Sequence, residues 1–91
     1  MKIDARQVEL ISKAIADPKR FEVLQRVAAS RDAPTCSCIR DWLGIAPATV
    51  SHHLKELAAA NLVNLERDGK FVRISLRRNV WDAYVKRLSS L

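Results

Sequence analysis

Apolar residues recur at three- and four-residue spacing through the first two thirds of the chain and then switch to every second position. Val8, Ile11 and Ile15, with Leu10 and Ala14 beside them, mark one face of a helix that Asp4 is placed to cap and that ends near Ala16. Asp17 and Pro18 restart the pattern as N-cap and first helical residue, since the amide that proline lacks would be unpaired there in any case. The second helix carries Phe21, Leu24, Val27 and Ala28 on its inner side. A polar loop from Ser30 to Pro34 follows, and Thr35 is placed to cap a short third helix through Leu43. Gly44 stops that helix with the left-handed backbone a C-terminal cap often needs, and Pro47 opens a fourth helix reaching about Ala60. Two short helices joined by so tight a turn have the pattern of a helix-turn-helix unit.

Beyond Asn61, Val63 and Leu65 alternate with Asn64 and Glu66, and Val72, Ile74 and Leu76 alternate with Arg73 and Ser75. Asp68-Gly69 between them suits a tight turn, so Leu62 to Leu76 reads as a two-stranded ribbon. Asn79 is placed to cap a last helix with Trp81, Tyr84, Val85 and Leu88 as its apolar stripe and Asp82 paired to Lys86. The fold class expected is mostly α with one two-stranded β-hairpin, in the order ααααββα, as a single domain over residues 1–91.

Composition narrows this further. With 48% apolar and 29% charged residues, 2 Gly and 3 Pro in 91 residues, the chain is globular. It is short enough that a partner subunit would widen its stability margin. Sixteen Lys and Arg against ten Asp and Glu leave a net charge of +6, which favours a polyanionic partner. No apolar run approaches the ~20 residues that span a bilayer, and the N-terminus lacks the apolar segment of a signal peptide, so a cytoplasmic protein with no membrane partner is expected. No Gly-rich phosphate loop, paired carboxylates or Cys with a partnered His is present, which argues against an enzyme.

On the fourth helix Val50, Leu54 and Leu57 share one side, leaving Ala48, His52, Lys55 and Ala59 opposite, flanked by Thr49, Ser51 and Glu56. Small residues admit such a helix to a major groove, and Thr49, Ser51, His52 and Lys55 supply donors and acceptors for base edges and phosphates. The plain alternative is the solvated side of an amphipathic helix. His52 and His53 are adjacent and point about 100° apart, so they do not chelate one ion; His53 falls toward the buried stripe as a hydrogen-bonded structural histidine. On the ribbon, Arg67, Lys70 and Arg73 surround the turn, with Arg77 and Arg78 following. They suit phosphates or a minor groove, or serve only to keep an edge strand from aggregating.

The segments ADPKRFEVLQRV, Cys36-Ser37-Cys38, WLGIAPATVSHHLKEL and LVNLERDGKFVRISL together resemble the arsenic-repressor (ArsR/SmtB) family of bacterial winged-helix regulators, over nearly the whole chain. The resemblance implies a winged helix-turn-helix homodimer joined through its first and last helices, each subunit offering a recognition helix and a wing to double-stranded operator DNA. The stripes of Val8, Ile11, Ile15, Trp81, Tyr84, Val85 and Leu88 exceed what one small core can absorb and are expected at the interface. A two-fold dimer is expected to bind an inverted repeat read by Ala48, Thr49, Ser51, His52 and Lys55 and gripped by Arg67, Lys70 and Arg73. The resemblance also implies repression relieved by an inducer, often a metal or metalloid. Some members bind thiophilic ions through a Cys-x-Cys in the third helix, which Cys36 and Cys38 match, so arsenite or a soft metal is the candidate ligand, oxidation of the pair is the other candidate inducing event, and no cofactor is otherwise required. Asp41 stands where several members have a third thiolate, and no His in the last helix supports a zinc site. The pair has a competing packing role, with Cys36 in line with Ile39 and Leu43 and Cys38 against Trp42. The rival functions are a regulator without a metal site and a winged-helix module for protein or RNA.

Overall fold

Side-chain caps decide where the first three helices begin. In a computed structural model of residues 1–91, the Asp4 carboxylate accepts the Gln7 amide proton at 2.8 Å and α1 spans Ala5–Ile15. Asp17 does the same for the Arg20 amide at 3.1 Å, and α2 spans Pro18–Ala29. Thr35 Oγ1 accepts from the Cys38 amide at 3.3 Å to start α3, Cys36–Leu43, which Gly44 closes at φ +62°. The fourth cap differs: Ala46 precedes α4, Pro47–Ala59, and has no side chain with which to cap it.

The ribbon follows as β1, Val63–Asp68, and β2, Phe71–Leu76, antiparallel with Val63 opposite Leu76 and Asp68 opposite Phe71. The turn residues are Gly69 and Lys70 rather than Asp68-Gly69. Gly69, at φ +62°, supplies the positive backbone angle at the first central position, and Asp68 closes β1. The last helix, α5, spans Arg78–Ser89, so Asn79 lies in its first turn and does not cap it. The reason is the strand exit. Arg77 N–H donates to Leu62 O at 2.8 Å while Arg77 O already accepts the Val80 and Trp81 amides, which starts the helix before Asn79 can act. Asp82 and Lys86 make no ion pair.

A core of 16 buried apolar residues draws on every helix and both strands, with Ile11, Val23, Ile39, Val50, Leu57, Leu62, Ile74 and Val80 almost wholly enclosed. Val63 and Ile74 turn into it from the ribbon, but Leu65, directly opposite the enclosed Ile74, is 41% exposed because β2 lies against α2, α3 and the segment before α3 while β1 is the outer strand. Strand β2 is tied sideways to the segment before α3 through Ile74 N–H to Pro34 O at 2.9 Å and a bridge between Thr35 and Arg73. At the other end of the molecule α1 and α5 meet, with Ser12 Oγ and Tyr84 Oη 2.9 Å apart and Arg87 donating to Ile3 O.

Candidate nucleic-acid interface

Helix α4 separates its residues as its periodicity requires. Val50, His53, Leu54 and Leu57 are buried, and Ala48, Thr49, Ser51, His52, Lys55 and Ala59 are exposed together along the other side. The exposed side is narrow in profile, carries hydroxyls, an imidazole and an ammonium, and has no large apolar side chain. A helix of this kind fits a B-form major groove and can donate to both base edges and phosphates.

His53 sits behind that surface with 6% of its area exposed, and its Nδ1 has no hydrogen-bond partner, so the hydrogen-bonded role expected from its position is corrected. The neighbouring Asp17 carboxylate, whose charge acts on His53, caps α2 instead of bonding to it. Burial holds the His53 pKa below the ordinary imidazole value; Asp17 opposes this, while Arg20 and His52 add to it. Seating α4 therefore favours the neutral imidazole.

On the ribbon, Arg67 and Lys70 are exposed and form no ion pair, with Lys70 Nζ 5.6 Å from the centre of the exposed Phe71 ring. Arg73 is placed differently from the free phosphate clamp expected of it. Its Nε donates to Asp68 Oδ2 at 3.0 Å and its Nη1 to Ala33 O at 3.0 Å, so it braces the hairpin against the segment before α3. The sequence signal for this brace is diagonal: Asp68 and Arg73 lie on one face of the hairpin at neighbouring rungs, where opposite charges attract.

The cysteines diverge. Cys36 is half-buried against the core and lines a small recess with Arg40, Pro47 and Val50, and burial pushes its thiol pKa up. Cys38 Sγ accepts a hydrogen bond from the Thr35 hydroxyl at 3.3 Å, which together with the Thr35 backbone lowers its pKa. As first and third residues of a regular helix, they point about 200° apart. Asp41 is turned outward beside Arg40, and no group of three or more His, Cys, Asp or Glu side chains stands close enough to hold an ion. This donor set does not fit a thiophilic metal or arsenite site. Trp42, expected beside Cys38, is 38% exposed and lies 5.9 Å from the Arg26 guanidinium.

Of the residues assigned to a subunit interface, Val85 and Leu88 are exposed at 42% and 43%, and Val8 and Ile15 are half-buried. Ile11 and Tyr84 are corrected: both are enclosed in the core of their own chain, where α1 packs chiefly on α2 and α4 and the Tyr84 hydroxyl meets Ser12. Trp81 lines a cleft with α2.

Residues 15–66 match a family model described as a helix-turn-helix domain. The transcriptional repressor SdpR of Bacillus subtilis is 31% identical over 70 residues, covering 77% of this chain and 76% of that protein. Among solved structures, an ArsR-like transcriptional regulator from Rhodococcus sp. RHA1 superposes with a TM-score of 0.83 at 19% identity, covering 93% of this chain and 78% of the other. NolR from Sinorhizobium fredii gives 0.74 at 26% identity, covering 94% and 81%. The homodimeric winged helix-turn-helix DNA-binding domain of Mb0332 from Mycobacterium bovis gives 0.78 at 22% identity, covering 93% and 78%. The fold and its exposed helix thus define a winged helix-turn-helix protein. The chain belongs to the helix-turn-helix family of transcriptional regulators and is not an enzyme, and its resemblance to the ArsR regulators holds over nearly its whole length.

Proposed function

We propose that the protein is a homodimeric repressor that binds an inverted-repeat operator in double-stranded DNA. The observation that carries this reading is the exposed side of α4, where Ala48, Thr49, Ser51, His52 and Lys55 make a continuous small, polar and basic strip beside the free cations of the hairpin, Arg67 and Lys70. In the complex α4 lies in the major groove, with Thr49 and Ser51 at base edges and His52 and Lys55 reaching phosphates. Arg67 and Lys70 take the backbone or the adjacent minor groove, with Arg73 holding the hairpin at the angle that puts them there. Two copies join through Val85 and Leu88 of α5 with Val8 and Ile15 of α1, an apolar strip that one chain leaves uncovered. An inducer releases the operator, and the two cysteines are packing residues. No helix is long and apolar enough to cross a membrane, which suits action on DNA in the cytoplasm.

The test is fluorescence anisotropy with a duplex from the protein's own promoter region and a scrambled duplex of equal length, across a salt series. Tight binding to the promoter duplex and steep salt dependence are expected. Equal affinity for both duplexes at moderate salt contradicts the reading. Preference for the single strand would favour the RNA-binding alternative, to which the exposed Phe71 ring would lend a stacking surface.

A further inference from the structure

Helix α2, the end of β2 and the start of α5 enclose a cleft of about 410 Å³ that the DNA-facing machinery does not use. Phe21, Leu24, Ala28, Leu76 and Trp81 belong to its apolar lining, and Arg78 lines it as its one charged side chain. A second depression of about 320 Å³ continues from it, sharing Ala28, Leu76 and Arg78 and bringing in Arg31. Arg31 and Arg78 are both exposed and neither has a carboxylate partner; no acidic side chain lines either depression. The groove therefore pairs an apolar trough with two unneutralised guanidiniums. Arginine forks bind carboxylates and phosphates through two parallel hydrogen bonds, and a volume of this size suits a small molecule rather than a protein segment.

We propose that this cleft binds a small amphipathic anion, with its apolar tail against Phe21, Leu76 and Trp81 and its carboxylate or phosphate head on Arg78 and Arg31. The position matters for control. Leu76 ends the strand that carries the hairpin, and Arg78 begins the helix that carries the subunit contact, with one residue between them. An occupant wedged against α2 there shifts the hairpin and α4 relative to α5, and hence the spacing of the two reading helices in a dimer. The anion is thereby the inducer, an assignment that rests on the operator-release reading above and requires that it bind the DNA-free form more tightly.

Trp42→Phe leaves Trp81 as the sole tryptophan and so makes the cleft its own reporter. In that background, sodium octanoate and octyl phosphate, kept below micellar concentration, are titrated beside octanol, which has the same tail without the charge. At least one of the anions is expected to change Trp81 emission saturably and at least tenfold more tightly than octanol, and whichever responds identifies the head group. Arg78→Gln should bring that affinity down to the octanol level. Ala28→Leu, at an exposed helical position that circular dichroism can show to be folded, should abolish the response by filling the trough. Equal binding of octanol, no saturable response, or indifference to both substitutions overturns the site. Operator anisotropy then separates the two readings. The anion should weaken operator binding at least tenfold in the parent and not in Ala28→Leu. Binding in the cleft without that weakening overturns the inducer role and leaves the site standing. A protein that fills its cleft yet never prefers its operator overturns the repressor reading instead.

Discussion

His53 is the one polar side chain in the core apart from backbone groups, and its neutral state links proton binding to the seating of α4. Because its folded pKa lies below the ordinary value of about 6.5, the unfolded chain binds a proton that the folded one refuses. Stability is therefore undiminished above pH 6.5 and falls as pH drops below it, until the folded pKa is passed. Asp17, held below the usual carboxylate range chiefly by the Arg20 amide, acts in a separate and more acid window, contributing stability that is lost as pH falls toward its own lowered value. Urea unfolding at pH 7.5 and 5.5 should show a loss in the parent that His53→Gln reduces; identical pH dependence in the two proteins would remove His53 from the account. Arg73 makes a second prediction at this scale. Arg73→Ala should lower stability by about 1 kcal/mol, through its two internal bonds, and weaken operator binding with it. Lys70→Ala should leave stability unchanged while reducing the salt slope of binding by roughly one ion. The inward position of His53 was legible from its place beside the Val50 and Leu57 stripe. The missing partner was not, because which groups come within reach of the His53 Nδ1 is fixed only when α4 packs into the core.

Of the two helices without a side-chain cap, α4 follows Ala46, which supplies no capping oxygen although its backbone (φ −66°, ψ 149°) is that of an N-cap. Ala46→Ser places a hydroxyl where it can accept an amide of the first turn and should raise stability by about 1 kcal/mol in urea unfolding. No gain would mean that those amides already have partners. The boundaries of α1, α2 and α3 could be read because each has Asp or Thr at its N-cap, a local signal. The start of α5 could not be read from Asn79, because it is set by a hydrogen bond from Arg77 to Leu62 across fifteen residues of hairpin. The same limit applies to Leu65. Alternation predicts which side of a strand it occupies, but which of the two strands is the outer one is a property of the assembled molecule.

In the whole molecule the positive charge and the apolar strip lie on different parts, α4 and the hairpin on one hand, Val85 and Leu88 on the other. Val85→Glu together with Leu88→Glu, both at exposed positions, should leave the fold intact and give a monomer in sedimentation at micromolar concentration. A parent protein that already sediments as a monomer would withdraw the proposed interface. The sequence pattern marked this strip but also placed Ile11 and Tyr84 in it, since a helical stripe does not distinguish a partner helix in the same chain from one in another. Two hydrogen bonds tie the chain's ends together, Ser12 to Tyr84, 72 positions apart, and Arg87 to Ile3, 84 positions apart. During synthesis the N-terminal segment and α1 leave the ribosome first, yet these ties wait until α5 has followed, so the first helix made is among the last to be fully fixed. Stalled chains ending before Val80 should be cut by protease within α1 while the finished protein resists. Contacts so distant in sequence also lengthen the search that folding must complete, and a cell that halts translation partway holds a fragment with an exposed apolar helix ready for chaperones.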